Sequence, residues 1–385
     1  MQNKIKVGII GVGNCASALV QGVTYYTKHK DKKVNGIMFN DIGGYFPTDI
    51  EFVCAFDVDN RKVGKPLNEA IFAKPNCCRF FEKDVENNII VSKGILLDGV
   101  SDFMLEQRED KGFRIDNTSH TEDEEYIKQI LKESEVEILL NYLPVGSNKA
   151  TEKYAQIAIE CGVSFINCIP VLSLNNKEWQ QKFIDANIPY IGSDMKSQIG
   201  ASIISQLLQE LAFSRGAEVR YHQQINIGGN TDFNNMMVQS RLADKKTSKE
   251  NVIKSQNIIN DVEISDDSIF AGPSTFIPYL NDNKVAYFNL RLGGFADADI
   301  DIDIKLSVQD SENSAGVVID AIRFLKVAKE MEIVGMLLGP SAFTQKTPAL
   351  NLSYNDSLYE CEMLSKRQYT ELTKNQVKGL AEVYE

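Results

Sequence analysis

Residues 4–16 read KIKVGIIGVGNCA. Lys4–Ile10 is a short, nearly continuous apolar run of the kind required by a parallel strand buried on both faces, and Ala18, Leu19 and Val23 then repeat with a helical period. Between strand and helix stands GxGxxA. Gly11 permits the tight turn, Gly13 lets a pyrophosphate approach the backbone, and Ala16 lets helix and strand pack closely; Asn14 and Cys15 share this candidate cofactor site at the helix N-terminus. A turn without a ligand can carry the same letters, but the strand before it and the helix after it favour a dinucleotide.

A second strand, EFVCAFD at 51–57, ends in Asp57, an acid placed to take the hydroxyls of an adenine ribose. That favours NAD over NADP, while Arg61 and Lys62 just beyond leave a 2′-phosphate open. The gap from Ala16 to Asp57 is about twice the usual roughly 20 residues. The excess, Thr27 to Asp49, is polar, Gly-rich and reads as an inserted loop. A third strand, Val136–Tyr142, runs into Leu143-Pro144-Val145-Gly146-Ser147 at its carboxyl end, where ligands of open α/β sheets sit. Strand-like pieces at Ser164–Cys168 and Pro189–Ile191 alternate with helical patterns around Tyr154–Ile159 and Trp179–Ile184, which predicts a doubly wound sheet. Ser92–Glu133 reads as a charged surface excursion with one helix near Glu125–Leu131.

After a helix over Ala201–Phe213 the pattern changes. Glu218–Ile227, Ala286–Leu292 and Asp301–Val308 (DIDIKLSV) alternate as strands with one polar face, suggesting an antiparallel sheet inserted into the nucleotide fold; such sheets often form subunit contacts. Helix Ser314–Lys329 returns to α/β style, and the tail ends in a charged helix. The expectation is an α/β, Rossmann-like doubly wound parallel sheet interrupted by an inserted α+β domain: residues 1–200 nucleotide-binding, 201–312 inserted, 313–385 returning.

Composition bounds the function. The 385 residues carry 41 Lys+Arg against 53 Asp+Glu, a net −12, which argues against nucleic acid or an anionic membrane as partner but leaves room for one small anion at a local basic site. The seven cysteines lack CxxC spacing, so neither a disulfide framework nor a zinc knuckle is indicated and a reducing, cytoplasmic setting is expected. No apolar run approaches the roughly 18 residues of a membrane span. Three scattered histidines, at 29, 120 and 222, make a His-rich metal site or a Ser-His-Asp triad a poor reading.

Two neighbouring segments stand out in the insert. Residues 226–235, NIGGNTDFNN, have the composition of a hairpin or turn. Residues 245–250, KKTSKE, contain the capping box Thr247-x-x-Glu250, predicting a helix start with Lys249 in its first turn. A cation there is disfavoured by the helix dipole unless an anion joins it. A solvated lysine-rich loop is the competing reading.

The segments VGIIGVGNCASALVQGVTYY, FDVDNRKVGK, NYLPVGS, SDMKSQIGAS, NIGGNTDFNNM, KKTSKENV, NDNKVAY, DSENSAGVVIDAIR and GPSAFTQKTP, in this order across residues 7–347, resemble the shorter prokaryotic type of myo-inositol-1-phosphate synthase. The resemblance implies an NAD-dependent isomerase that turns D-glucose 6-phosphate into 1L-myo-inositol 1-phosphate by oxidation at C5, enolisation, intramolecular aldol closure and re-reduction. It implies a homotetramer built through the inserted sheet. By position the family's active-site lysines fall on Lys245, Lys249, Lys284 and Lys346, with Lys196 near substrate and cofactor. Its acidic residues fall on Asp194, Asp232, Asp282 and Asp310.

Phosphate capture is assigned to Lys249 at the expected helix N-terminus, with Lys284 assisting; Lys245 and Lys346 are the proton-transfer and oxyanion groups. Crowding and exclusion of water would lower the lysine pKa values. Pro144, Ser147, Asp194 and Ser197 join Gly11, Gly13, Asn14, Cys15, Ala16 and Asp57 in the cofactor-binding set. Asp194, Asp232 and Asp310 are the candidate ligands of a divalent cation, with ammonium as the family's other activating cation. Gly192-Ser193-Asp194 replaces the common Gly-Asp-Asp, which weakens a metal role there. Rival readings are a conventional NAD-dependent sugar or semialdehyde dehydrogenase and a non-catalytic NAD-binding protein.

Overall fold

The computed structural model describes residues 4–30, 35–117, 124–260 and 265–377. Its strands are β1 (Ile5–Ile10), β2 (Ile50–Asp57), β3 (Val91–Lys93), β4 (Ile138–Asn141), β5 (Ser164–Asn167), β6 (Pro189–Ile191), β7 (Glu218–Gly228), β8 (Ile269–Phe276), β9 (Asn283–Gly293), β10 (Asp299–Gln309) and β11 (Gly335–Met336). The helices are α1 (Asn14–Lys28), α2 (Leu67–Ala70), α3 (Asp102–Glu106), α4 (Glu124–Glu133), α5 (Asn148–Cys161), α6 (Lys177–Asp185), α7 (Ala201–Ser214), α8 (Thr231–Asn235), α9 (Gln239–Ile259), α10 (Asp310–Glu330), α11 (Leu338–Thr344), α12 (Tyr354–Ser365) and α13 (Glu371–Val377). His120 and the end of the C-terminal tail lie outside the described residues.

Seven strands form one parallel sheet in the order β11-β6-β5-β4-β1-β2-β3. Both faces are covered. On one, Val7 and Ile9 pack with Leu19 of α1 and Ile319 of α10; on the other, Leu139 and Phe165 pack with Ile157 of α5 and Phe183 of α6. This is why the strands read as continuous apolar runs rather than alternating ones. The fold is Rossmann-like and doubly wound. Two short strands escape the sequence pattern. β3 and β11, of three and two residues, sit at the sheet edges and carry too few side chains to show a period.

The excursion before β2 is anchored from far along the chain. The Arg323 guanidinium of α10, fully buried, pairs with Asp320 and donates to the carbonyls of Phe39 (2.6 Å), Asn40 (3.1 Å) and Tyr45 (3.2 Å). Gly316 lies so close that a Cβ would stand 1.8 Å from the Gly36 carbonyl oxygen. Buried polar groups need such partners, and here they convert a polar loop into part of the core.

The second sheet has the order β10-β9-β7-β8. β9 is antiparallel to both its neighbours, but β8, unpredicted by the sequence pattern, runs parallel to β7, so the sheet is mixed. Val219, Phe288, Leu290 and Leu292 face α7, while Tyr221, Tyr287 and Phe270 on the opposite face are exposed. The chain leaves the first sheet after β6 and rejoins it at β11. Among the described residues no helix is long and apolar enough to cross a membrane.

Candidate active site

One cavity runs from the Gly-rich turn to the lysines of the insert, at the carboxyl ends of β1, β4 and β5. Gly11 has φ +88°, and a Cβ there would lie 2.6 Å from the Tyr142 carbonyl oxygen, so glycine is required by both conformation and space. Gly13 caps α1 with no side-chain hydrogen bond, and a Cβ on it would meet nothing within 4 Å. The turn therefore presents uncapped backbone N–H groups to an open cradle, the arrangement that holds a pyrophosphate.

The Asp57 carboxylate orders this turn by accepting from the N–H of Val12 (2.7 Å), Val58 (2.8 Å) and Asp59 (2.9 Å). Of the two cations beyond it, Lys62 stays beside it, its ammonium 3.8 Å from Asp57 Oδ2 and in the cavity lining, while Arg61 turns away. Arg61 binds Asp59 and the Gly112 carbonyl, and buried Lys62 donates to the Val12 carbonyl at 2.6 Å. With the Asp57 carboxylate at the end of β2, the site fits NAD.

Asn14, Cys15 and Pro144 line the same end of the cavity. Ala16 is buried beneath the turn and does not line it. Ser147 also departs from expectation: its hydroxyl turns back to the Pro144 carbonyl at 2.6 Å, and it is no part of the lining.

At the other end, Lys245, Lys249, Lys284 and Lys346 line the cavity with Asp194, Ser197, Asp232 and Asp310. They come from α9, β9, the segment after α11, the segment after β6, α8 and the start of α10. Two local expectations are corrected here. The Gly/Asn-rich segment is no hairpin: β7 ends at Gly228, and the Asn230 side chain accepts from the Phe233 N–H at 3.1 Å, capping α8 and placing Asp232 in its first turn. The capping box at Thr247 does not start a helix either. α9 begins at Gln239 and continues without Gly or Pro to Ile259, so Lys249 lies mid-helix, one turn after Lys245. The N-terminus of α7 also reaches the cavity: its cap Gly200 offers no side-chain bond, and the flanking Ser197, Ala201 and Ser202 are in the lining.

Asp194 is the hub. Its Oδ1 accepts from Lys245 at 2.9 Å and Lys346 at 2.8 Å, while its Oδ2 accepts from the Ser248 hydroxyl at 2.7 Å. Burial opposes its charge, yet the two ammonium groups hold its pKa well below the usual range. Both oxygens are thus engaged by protein groups, while the carboxylate still lines the cavity.

Lys284 pairs with Asp310, whose other oxygen accepts from Asn230 at 3.1 Å; Asp232 lies 4.0 Å from Lys245. Asp282, behind them, accepts twice from Ser311, and burial with the nearby Asp310 charge raises it to about 7. Among the described residues no group of three His, Cys, Asp or Glu is arranged to hold a metal ion.

The lysines separate electrostatically. Burial, then Lys284, Lys245 and Lys346, push Lys249 well below an ordinary lysine. Burial lowers Lys346 to about 8, with Asp194 opposing and Lys245 adding to the shift. Lys245 departs from the expected lowering: burial disfavours its charge, but Asp194 and Asp232 outweigh that and raise it. Lys196, expected beside substrate, is outside the lining; it is buried, donates to the Ala342 carbonyl at 2.8 Å, and is lowered to about 7 chiefly by burial. Sequence reasoning missed Ser248. Its one signal was the three-residue spacing from Lys245, which puts both on one helix face.

The family model described as myo-inositol-1-phosphate synthase matches residues 200–311. The chain is 41% identical over 362 residues to the inositol-3-phosphate synthase of Mycolicibacterium smegmatis, covering 93% of this chain and 97% of that protein. It is 40% identical over 348 residues to the inositol-3-phosphate synthase of Corynebacterium glutamicum, covering 89% and 93%. The crystal structure of Ari2 superposes with a TM-score of 0.74 at 30% identity, covering 94% of this chain and 98% of that one. With 41% identity over 93% of its length, the chain belongs to the myo-inositol-1-phosphate synthase family.

Proposed function

We propose that this chain converts D-glucose 6-phosphate to 1L-myo-inositol 1-phosphate, with NAD recycled in each turnover. The observation that carries the reading is the placement of four lysines on one cavity continuous with the Gly-rich turn. A conventional dehydrogenase needs a single acid–base group near its carbinol; a binding protein needs none. Bound NAD supplies the hydride acceptor, and afterwards the donor, at C5 of the sugar.

The residues then divide the remaining work. The α7 N-terminus, Lys249 and Lys284 take the phosphate, because uncapped N–H groups and adjacent ammonium groups favour a dianion. Lys346, lowered to about 8, can exchange a proton near neutrality and is assigned the proton at C6. Lys245 remains charged and stabilises the enolate oxygen and the alkoxide formed at C1 during aldol closure. A divalent cation or ammonium at Asp194, Asp232 and Asp310 would compete with lysines already on Asp194 and Asp310, so no step is assigned to it.

The domain division at 200 and 312 belongs to this proposal, supported by the return of β11 to the first sheet. So does a homotetramer, supported by the exposed Tyr221, Phe270 and Tyr287 on the outer face of the second sheet. The test is incubation with glucose 6-phosphate and NAD, with the product identified by NMR. Inositol phosphate without net NADH is expected; accumulating NADH, or no inositol phosphate, overturns the reading.

A further inference from the structure

The α9 face that carries Lys245 also carries Ser248, which is fully buried. A serine inside a helix usually returns its hydroxyl to the carbonyl four residues back. Here the hydroxyl instead donates to Asp194 Oδ2 at 2.7 Å and accepts from the Thr347 hydroxyl at 2.9 Å. Thr347 follows Lys346, whose N–H donates to the Asp194 carbonyl at 2.8 Å and whose carbonyl accepts from Asn251 of α9 at 3.0 Å. Asp194, Ser248, Thr347 and Lys346 thus form a closed ring joining three separate segments around one carboxylate.

We infer that Ser248, oriented by Thr347, is the positioning residue that turns Asp194 so that a single oxygen must serve both Lys245 and Lys346. The inference rests on the proposed reaction, in which those two lysines have different tasks. With Oδ2 held by the hydroxyl, the ammonium groups share Oδ1 and stay close enough to repel. Without it, the carboxylate can turn and give each lysine its own oxygen. Their charges are then both better satisfied, and the difference between them shrinks. Around Lys346, Lys196, Lys245, Lys249 and Lys284 oppose its charge, Asp194 and Asp232 favour it, and the neighbouring Cys168 thiol stays neutral.

The test compares Ser248→Ala with Ser248→Thr in the full-length enzyme, using inositol phosphate formation across pH. Ser248→Ala is expected to lower kcat about tenfold to a hundredfold, the scale of one buried charge-assisted hydrogen bond, with KM for glucose 6-phosphate within about twofold. Ser248→Thr restores kcat. Unchanged kcat in Ser248→Ala overturns the inference. So does an equal loss in both variants, or a loss confined to KM, which marks a packing role. If Ser248→Ala does not fold, Thr347→Val removes the outer hydroxyl and is expected to lower kcat with KM within about twofold; an unchanged kcat overturns the inference. Failure of the wild-type enzyme to form inositol phosphate is a different result, and refutes the reaction itself.

Discussion

Replacing Asp194 by Asn keeps the shape of the hub and removes its charge. The two N···O contacts of 2.8 and 2.9 Å lie on a side chain only 1% exposed, so water cannot take over. At an effective dielectric of about 20, each contact contributes about 6 kcal/mol, and two ammonium groups roughly 5 Å apart repel by about 3 kcal/mol. That repulsion already contributes to the lowered pKa of Lys346; the variant removes the Asp194 attraction that opposes it, worth more than about 1.4 kcal/mol and so more than one pKa unit. Lys346 therefore titrates well below its wild-type value of about 8, and Lys245 loses the first of the two carboxylates that keep it charged. The assay is kcat/KM against pH with glucose 6-phosphate and NAD, beside NAD affinity from fluorescence quenching. The expected result is a fall of about a hundredfold or more at neutral pH, the scale of losing one oxyanion-stabilising group. The limb near pH 8 moves to lower pH, while NAD affinity stays within a few-fold because Asp57 and the Gly11–Gly13 turn are untouched. A variant with wild-type rate and profile, or one that loses NAD affinity and keeps its chemistry, refutes the reasoning.

Three further outcomes follow from the same geometry. Lys346→Ala abolishes turnover and leaves NAD binding within a few-fold; lost cofactor affinity would instead place Lys346 outside the chemistry. Glucose 6-phosphate binding takes up protons, because burial and the neighbouring lysines push Lys249 well below an ordinary lysine and an incoming dianion favours its charged form; calorimetry in buffers of different ionisation enthalpy measures the number, and zero or negative uptake contradicts the assignment. Gly11→Ala forces a Cβ to within 2.6 Å of a carbonyl oxygen at a positive φ, costing about 1–3 kcal/mol in strain. It lowers NAD affinity at least tenfold and reduces thermal stability, and normal cofactor affinity would show that the turn is not the pyrophosphate site.

The Gly-rich turn, the strand before it and Asp57 were legible because their information is local. A buried parallel strand must be apolar, and the turn must be glycine where an added Cβ would stand 2.6 Å from the Tyr142 carbonyl oxygen. The lysines were legible only through family resemblance, since no spacing links position 245 with 284 or 346. The capping box at Thr247 misled for a physical reason. Its letters describe a reciprocal bond between a side chain and an exposed helix start, and the eight positions from Gln239 to Lys246, free of Gly and Pro, are already helical and leave no start there. Ser248 was passed over because a lone serine in a lysine-rich segment has no periodic signature.

By itself, then, the chain's own order of residues determined the nucleotide-binding half, the presence of an inserted sheet and the set of lysines available to a small anion. Which lysine stays charged and which gives up its proton was decided only in three dimensions. That choice depends on burial and on a carboxylate 51 positions from one lysine and 152 from the other. Electrostatic energies fall with distance in space, and sequence separation does not encode that distance.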